Sequence, residues 1–181
     1  LRLREETPDH IAIGRLISST ASSARRVATL SIGSNEGIER ALPVRGPSGL
    51  IGRVIEVGPT TARILLITDA ENLVPAMRAS DGLPAFATGL ANGYVAIKPI
   101  QLGESPFKIG DIIVTSGNGG LYPPNIPFAR VVRKTNEGAM AKPLADPANT
   151  PYAIVLRTYQ AEARARQQAV APDGKAEEVA E

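Results

Sequence analysis

The chain has 181 residues and a formal net charge of +2, which is enough length for one ordinary domain or two small ones. It contains no cysteine, which excludes disulfides, thiolate metal sites and cysteine nucleophiles. Aromatic residues make up 4% of the chain, which disfavours nucleic-acid binding by base stacking. No apolar run approaches the roughly 18 residues of a membrane-spanning helix, and no signal peptide is visible. We therefore expect any membrane anchor to lie upstream of Leu1.

Charge is unevenly distributed along the chain. Residues 1–159 carry 17 basic and 13 acidic groups, whereas residues 160–181 carry three basic and five acidic groups. The body is mildly basic, too weakly so to indicate nucleic-acid binding unless the arginines cluster. The absence of cysteine fits both the cytoplasm and the periplasm, so the compartment stays open.

The predicted elements are mostly short strands. Residues 1–10 are charged and contain Pro8, and we expect them to be a frayed end. Beyond them, 17 glycines and 15 prolines are spread between short runs rich in Val and Ile, which is typical of strands joined by tight turns. We predict strands over residues 11–18, 27–32, 42–46, 50–57, 62–68, 73–79, 84–90, 94–98, 111–115, 127–134, 139–144 and 152–158. Composition predicts a helix over 159–169, followed by a polar tail that frays or is disordered.

Twelve short strands without crossover helices predict an all-β fold of antiparallel barrels or sandwiches. Residues 37–44 (GIERALPV) and 120–128 (GLYPPNIPF) each run from Gly and an aliphatic residue to an aliphatic-Pro pair. This weak internal echo favours two small barrels, with chance similarity as the alternative.

The stretch VTSGNGGLYPPNIP at residues 114–127 has three interpretations. In the first, Ser116 is a nucleophile, which requires a base to take its proton. The only histidine of the chain, His10, lies in the charged N-terminal stretch. Spacing selects no lysine for a Ser-Lys dyad among the candidates Lys98, Lys108, Lys134 and Lys142.

The second interpretation is a phosphate-binding loop. It is disfavoured because prolines follow SGNGG, where such a loop has Lys-Ser/Thr and a helix start. The third, which we favour, is a rigid turn whose glycines supply positive φ and whose prolines stiffen the exit. The loop-shaping residues are then Gly117, Gly119, Gly120, Pro123 and Pro124. Leu121 and Tyr122 either fill the core or contact a partner, and we favour the core.

Asp69, Glu71 and Asp81 raise the question of a metal or acid–base site. Their surroundings, TDAENLVP and SDGLP, are typical of Asx turns. Sites for hard cations also need more clustered oxygens than these stretches offer. We therefore predict no metal site, no cofactor and no catalytic residue.

Three longer stretches together resemble one known family. GSNEGIERALPV, GLIGRVIEVGPTTARILLITD and KIGDIIVTSGNGGLYPPNIPFARVV resemble the rod shape-determining protein MreC, and the similarity extends over about residues 11–134. The resemblance implies two six-stranded β-barrels of chymotrypsin-like topology without protease chemistry, in the periplasm behind an inner-membrane helix and a coiled coil. It also implies a non-enzymatic scaffold of the cell-elongation machinery. That scaffold binds a class B penicillin-binding protein, the transpeptidase of lateral wall growth.

The strand count favours nested barrels over two barrels in series, because the six runs from 42 to 98 form a continuous meander and the other six can close a second barrel around it. Residues 1–10 are then a remnant of the coiled coil, residues 11–35 and 110–159 form an outer barrel, residues 36–109 form an inserted barrel, and residues 160–181 are a tail. We also expect self-association through the edge strands of the barrels. Two rival functions stay open: a serine hydrolase on the same fold, and an oligonucleotide-binding barrel.

Overall fold

The computed structural model describes residues 10–20 and 25–160, and these contain twelve β-strands. All twelve predicted strands are confirmed. They are β1 (His10–Thr20), β2 (Val27–Leu30), β3 (Pro43–Gly46), β4 (Gly49–Val57), β5 (Ala62–Leu66), β6 (Leu73–Arg78), β7 (Pro84–Gly89), β8 (Val95–Pro99), β9 (Ile112–Thr115), β10 (Pro127–Lys134), β11 (Ala139–Pro143) and β12 (Tyr152–Leu156). Short 3-10 helices occupy Ser34–Glu36 and Pro147–Asn149. Of the predicted helix, Tyr159 and Gln160 are described and helical. The rest of it, the tail and residues 1–9 lie outside the described residues.

The strands close into two six-stranded antiparallel barrels, which confirms the predicted fold class. The first barrel has the strand order β1-β12-β3-β4-β5-β2, and the second has the order β10-β11-β8-β7-β6-β9. The second barrel is inserted in sequence between β5 and β12 of the first. Only β12 returns the chain to the first barrel, where it pairs with β1 and β3.

The predicted division of the strands between the barrels is wrong. We expected residues 36–109 to form one barrel, and residues 11–35 with 110–159 to form the other. Instead β2 pairs with β5, from Val27 opposite Leu65 to Leu30 opposite Ala62, so the N-terminal strands belong with β3, β4 and β5. Alternation predicts where strands lie but not which strands pair. The chain changes barrels at residues 67–72, a turn that looks like any other turn in the sequence.

Closure also corrects the expected route to self-association. Each strand of the two barrels has a hydrogen-bonded neighbour on both sides. A closed barrel has no edge strand to pair with another chain. Pairing through a free edge of the described barrels is therefore not the route to self-association.

The two barrels share part of their hydrophobic core. Leu50, Ile67, Ile154 and Leu156 belong to the first barrel and its exit, yet they lie in one buried cluster with Phe128 and the interior of the second barrel. The backbones also approach closely, because a Cβ on Gly49 would lie 2.2 Å from the carbonyl oxygen of Pro127. The barrels are thus packed as one unit.

Large side chains fill the interior of the second barrel, and half of the strand residues in its buried cluster are alanines. Phe107 and Tyr122 enter from loops, and Phe128 enters from β10; each is at most 1% exposed. Around them the strands contribute buried alanines at positions 76, 85, 87, 129, 139 and 141. Small strand residues leave the volume that the aromatic rings occupy.

Candidate functional site

The glycine-rich loop, residues 116–124, leaves β9 and returns to β10. Thr115 fastens its two ends together: its Oγ1 donates to the carbonyl of Pro123 at 2.6 Å and accepts the amide of Ile126 at 2.9 Å. Gly117, Gly119 and Gly120 have φ of +79°, +79° and +72°. Side chains other than glycine rarely adopt this region. The predicted need for positive φ at these three glycines is confirmed.

Ser116 takes part in the turn. Its backbone amide donates to the carbonyl of Pro75 at 3.1 Å, and its Oγ accepts the amide of Asn118 at 3.3 Å. Within residues 10–20 and 25–160, no hydrogen bond joins Ser116 to any of the four candidate lysines. His10 begins β1 of the first barrel opposite Leu156, whereas Ser116 follows β9 of the second. The structure gives the Ser116 hydroxyl a turn-stabilising role.

Tyr122 points inward from the loop and is 1% exposed. Its hydroxyl donates to Asn72 Oδ1 at 3.2 Å, and Asn72 Nδ2 donates to the carbonyls of Leu65 and Leu66, each at 3.2 Å. Burial raises the pKa of Tyr122 to about 12, and the positive charge of Arg53 acts in the opposite direction. This burial contradicts a partner contact through the Tyr122 side chain and supports the core interpretation.

The loop also binds the chain that follows β12, a contact for which the sequence contains no signal. The amide of Gln160 donates to the carbonyl of Gly120 at 3.1 Å, and the amide of Tyr159 donates to the carbonyl of Leu121 at 3.4 Å. A Cβ on Gly120 would lie 2.3 Å from the Gln160 side chain. Leu121 is partly buried against the same core cluster as Tyr122. The loop therefore connects the second barrel to both the first barrel and the start of the C-terminal segment.

The acidic residues form turns, as predicted. Asp69 Oδ1 accepts the amide of Glu71 at 2.9 Å, and its Oδ2 accepts the amide of Arg26 at 2.7 Å. Asp81 Oδ1 accepts the amide of Leu83 at 3.1 Å. In the part of the chain that the structure describes, no group of three His, Cys, Asp or Glu side chains is placed to hold a metal ion.

Arg78 joins three segments of the second barrel. Its guanidinium binds Asp81 at 2.6 Å, Asp111 at 3.3 Å and the carbonyl of Pro106 at 2.7 Å, and its Cζ lies 5.9 Å from the centroid of the Phe107 ring. The hydrogen bond from Arg78 lowers the pKa of Asp81 to about 2, with the Leu83 amide as the next contribution. The hydrogen bond with Asp81 likewise raises the pKa of Arg78 above its usual value, against the effect of burial. These contacts hold the turn after β6 and the loop before β9 against the barrel.

Fold and loop together define a class of protein: a pair of closed β-barrels with a shared core, in which the glycine-rich loop stabilises the fold. A family model described as "Rod shape-determining protein MreC, barrel core" matches residues 16–157, and the chain belongs to this family. The resemblance seen in the sequence is thereby confirmed. No helix in the described ranges is long and apolar enough to span a bilayer.

Relatives and solved structures agree with this assignment. The cell shape-determining protein MreC of Caulobacter vibrioides is 30% identical over 156 residues, which are 86% of this chain and 45% of that protein. The protein of the same name from Cereibacter sphaeroides is 28% identical over 151 residues, or 82% of this chain and 49% of that protein. The crystal structure of MreC from Pseudomonas aeruginosa superposes with a TM-score of 0.73 at 29% identity, covering 81% of this chain and 98% of that one. The chain spans about half the length of these curated relatives.

Proposed function

We propose that this chain is the two-barrel part of a non-enzymatic periplasmic scaffold of the cell-elongation machinery, held at the inner membrane by a segment outside this sequence. It binds a class B penicillin-binding protein, the transpeptidase of lateral wall growth, and associates with copies of itself. Membership of a cell shape-determining family supports the assignment to cell elongation. The transpeptidase and the periplasmic location follow from what that family resemblance implies.

The non-enzymatic part of the proposal rests on the structural role of the glycine-rich loop. The sequence of this loop resembles that of a catalytic or binding site. In the structure, however, its serine hydroxyl stabilises a turn, its tyrosine lies in the core, and its carbonyls accept hydrogen bonds from Thr115, Tyr159 and Gln160. A serine hydrolase needs a base hydrogen-bonded to its nucleophile, with a third group orienting that base. The Ser116 hydroxyl accepts a backbone amide in this structure.

The oligonucleotide-binding alternative has less support. Such surfaces combine basic grooves with aromatic side chains on which successive bases stack. Among the described residues, the large exposed aromatic side chains are Phe86 in the second barrel and Tyr152 in the first. They do not form a row along one groove, so we retain the scaffold as the proposed function.

A binding measurement tests the proposal. The purified chain is titrated against the periplasmic part of the class B transpeptidase from the same organism, with a class A penicillin-binding protein as the control. We expect a dissociation constant of about 10 μM or tighter for the class B enzyme, in the range of transient complexes. Equal affinity for the two enzymes, or no binding of either at about 100 μM, contradicts the proposal.

A further inference from the structure

The outer surface of the second barrel carries bulky apolar side chains on β6 and β7, and apolar residues continue to Ala96 on β8 and Met140 on β11. Leu73 lies opposite Thr88, Pro75 opposite Phe86, and Ala96 opposite Met140. Cross-strand partners project from the same side of a sheet, so these residues share one surface. We call it the β6–β8 face and define it by Leu73, Pro75, Met77, Phe86, Ala96 and Met140.

The alternation in these strands places bulky apolar residues outward. Along β7, Ala85 and Ala87 are each 1% exposed and point into the barrel, whereas Phe86 between them is 41% exposed. Leu73 at the start of β6 is 54% exposed. The solvated face of an antiparallel sheet normally carries polar residues. Contiguous apolar side chains in such a position are typical of an interaction surface.

The charged residues on the strands of this barrel have a single sign. The six strands of the second barrel contain six basic residues and no acidic one. Two of the six are paired, Arg78 with Asp81 and Asp111, and Lys134 with Glu104. Among the described residues, no carboxylate forms a salt bridge with the other four. These are Lys98, Arg130, Arg133 and Lys142.

The unpaired cations lie along one side of the apolar face. Lys98 is opposite Phe86, Arg133 is opposite Met140, and Lys142 is opposite Arg130. The surface thus has an apolar centre on β6 and β7 and a basic border on β8, β11 and β10. Its complement is a surface with apolar side chains at its centre and carboxylates along one side.

We propose that the β6–β8 face binds the transpeptidase partner, through a segment of that protein that presents apolar side chains bordered by Asp or Glu. This inference rests on the proposed function and assigns it a surface and a chemistry. Contact with the same face of a second copy would offer these cations no carboxylate on the strands of the barrel, so charge complementarity is missing there.

Four charge-introducing variants test the surface. Phe86→Glu and Lys98→Glu alter the face, and the matched controls Ile109→Glu and Arg63→Glu alter exposed positions outside it. The affinity of each folded chain for the class B transpeptidase is measured by titration calorimetry at two salt concentrations. We expect Phe86→Glu to weaken binding about 10- to 100-fold, as at an interface hot spot. Lys98→Glu should weaken it roughly tenfold and reduce the salt dependence, and the controls should stay within about threefold.

The possible outcomes distinguish a failure of the proposed binding surface from a failure of the proposed function. If the wild-type chain does not bind the transpeptidase, the proposed function fails and the inference fails with it. If the wild-type chain binds and the face variants match the controls, the function stands and the surface is wrong. Thermal unfolding of each variant shows that the comparison is between folded chains. The remaining occupants, a second copy and vesicles of phosphatidylglycerol, are tested by sedimentation and co-flotation. If the face variants alter only self-association or vesicle binding, and leave the affinity for the transpeptidase unchanged, the inference is overturned.

Discussion

The Tyr122 hydroxyl donates a buried hydrogen bond to Asn72 Oδ1, at 3.2 Å. Asn72 in turn donates to the carbonyls of Leu65 and Leu66, at the end of β5 in the first barrel. Tyr122 belongs to the glycine-rich loop of the second barrel, so one buried amide side chain connects the two barrels. The sequence of this loop is therefore constrained by the fold, because Tyr122 has to reach Asn72 between the barrels.

The first prediction concerns the stability that Tyr122 contributes. Tyr122→Phe removes the donor and leaves Asn72 Oδ1 without its partner, which should cost about 1–3 kcal/mol of unfolding free energy. Tyr122→Ala also empties the space of the ring and should cost about 3–5 kcal/mol. Urea denaturation followed by circular dichroism measures both values. Tyr152→Ala, at a residue 53% exposed, is the control and should change stability by less than about 1 kcal/mol.

If Tyr122→Ala leaves the unfolding midpoint unchanged while it weakens binding to the transpeptidase, the ring is a contact and not core. Affinity measured on the same preparation distinguishes these two results.

The second prediction concerns alkaline pH. The pKa of Tyr122 is raised to about 12 in the folded chain by burial, whereas a tyrosine of the unfolded chain ionises near pH 10. The stability that this group contributes is therefore fully present below about pH 10 and is lost as the pH rises through 12. Wild type should lose about 2–3 kcal/mol more than Tyr122→Phe over this interval. Parallel stability profiles of the two proteins would show that the phenol is not desolvated in the fold.

The third prediction concerns the contact between the barrels. Gly49 in the first barrel has a φ of +148°, and a Cβ there would lie 2.2 Å from the carbonyl oxygen of Pro127 in the second barrel. Gly49→Ala should therefore destabilise the chain by about 3 kcal/mol or more, because backbone strain and overpacking act together. Gly82, with a φ of +73° and no neighbour within 4 Å, provides the control. Gly82→Ala should cost about 1–2 kcal/mol from conformation alone; equal costs at both positions would contradict close packing of the barrels.

The fourth prediction concerns Arg78. Arg78→Ala leaves the carbonyl of Pro106 and the carboxylate of Asp111 without their shared donor, so it should destabilise by about 1–3 kcal/mol. Arg63→Ala breaks an exposed ion pair with Glu56 and should change stability by less than about 1 kcal/mol. Differential scanning calorimetry of the two variants makes the comparison. An equally small effect at Arg78 would show that its contacts do not stabilise the barrel.

The strands could be predicted from the sequence because alternation and turn residues are local signals. Residues 127–134, for example, alternate and begin with a proline, and β10 has these same bounds. The positive φ at Gly117, Gly119 and Gly120 was predictable for a similar reason, since glycines clustered between strands indicate a tight turn. The family was predictable because distinctive stretches such as GLIGRV occur in order.

The partners of these elements could not be predicted in the same way. Asn72 and Tyr122 are 50 residues apart, and Asn72 lies in a stretch, TDAENLVP, that has the composition of a turn. The pairing of β2 with β5 and the contact of Gln160 with Gly120 likewise depend on how the chain closes. The face around Phe86 was missed because alternation shows two sides of a strand but not which side is covered.

The central claim, that this chain acts by presenting surfaces and not by chemistry, is tested most directly at Ser116. The full-length protein with Ser116→Ala is expressed from its own promoter in place of the wild type, and cell width and length are measured by microscopy. The substitution removes only an acceptor for the Asn118 amide in an exposed turn, so the melting temperature and cell shape should match the wild type. A folded Ser116→Ala protein that cannot maintain cell shape would contradict the account and would favour a serine hydrolase as the function.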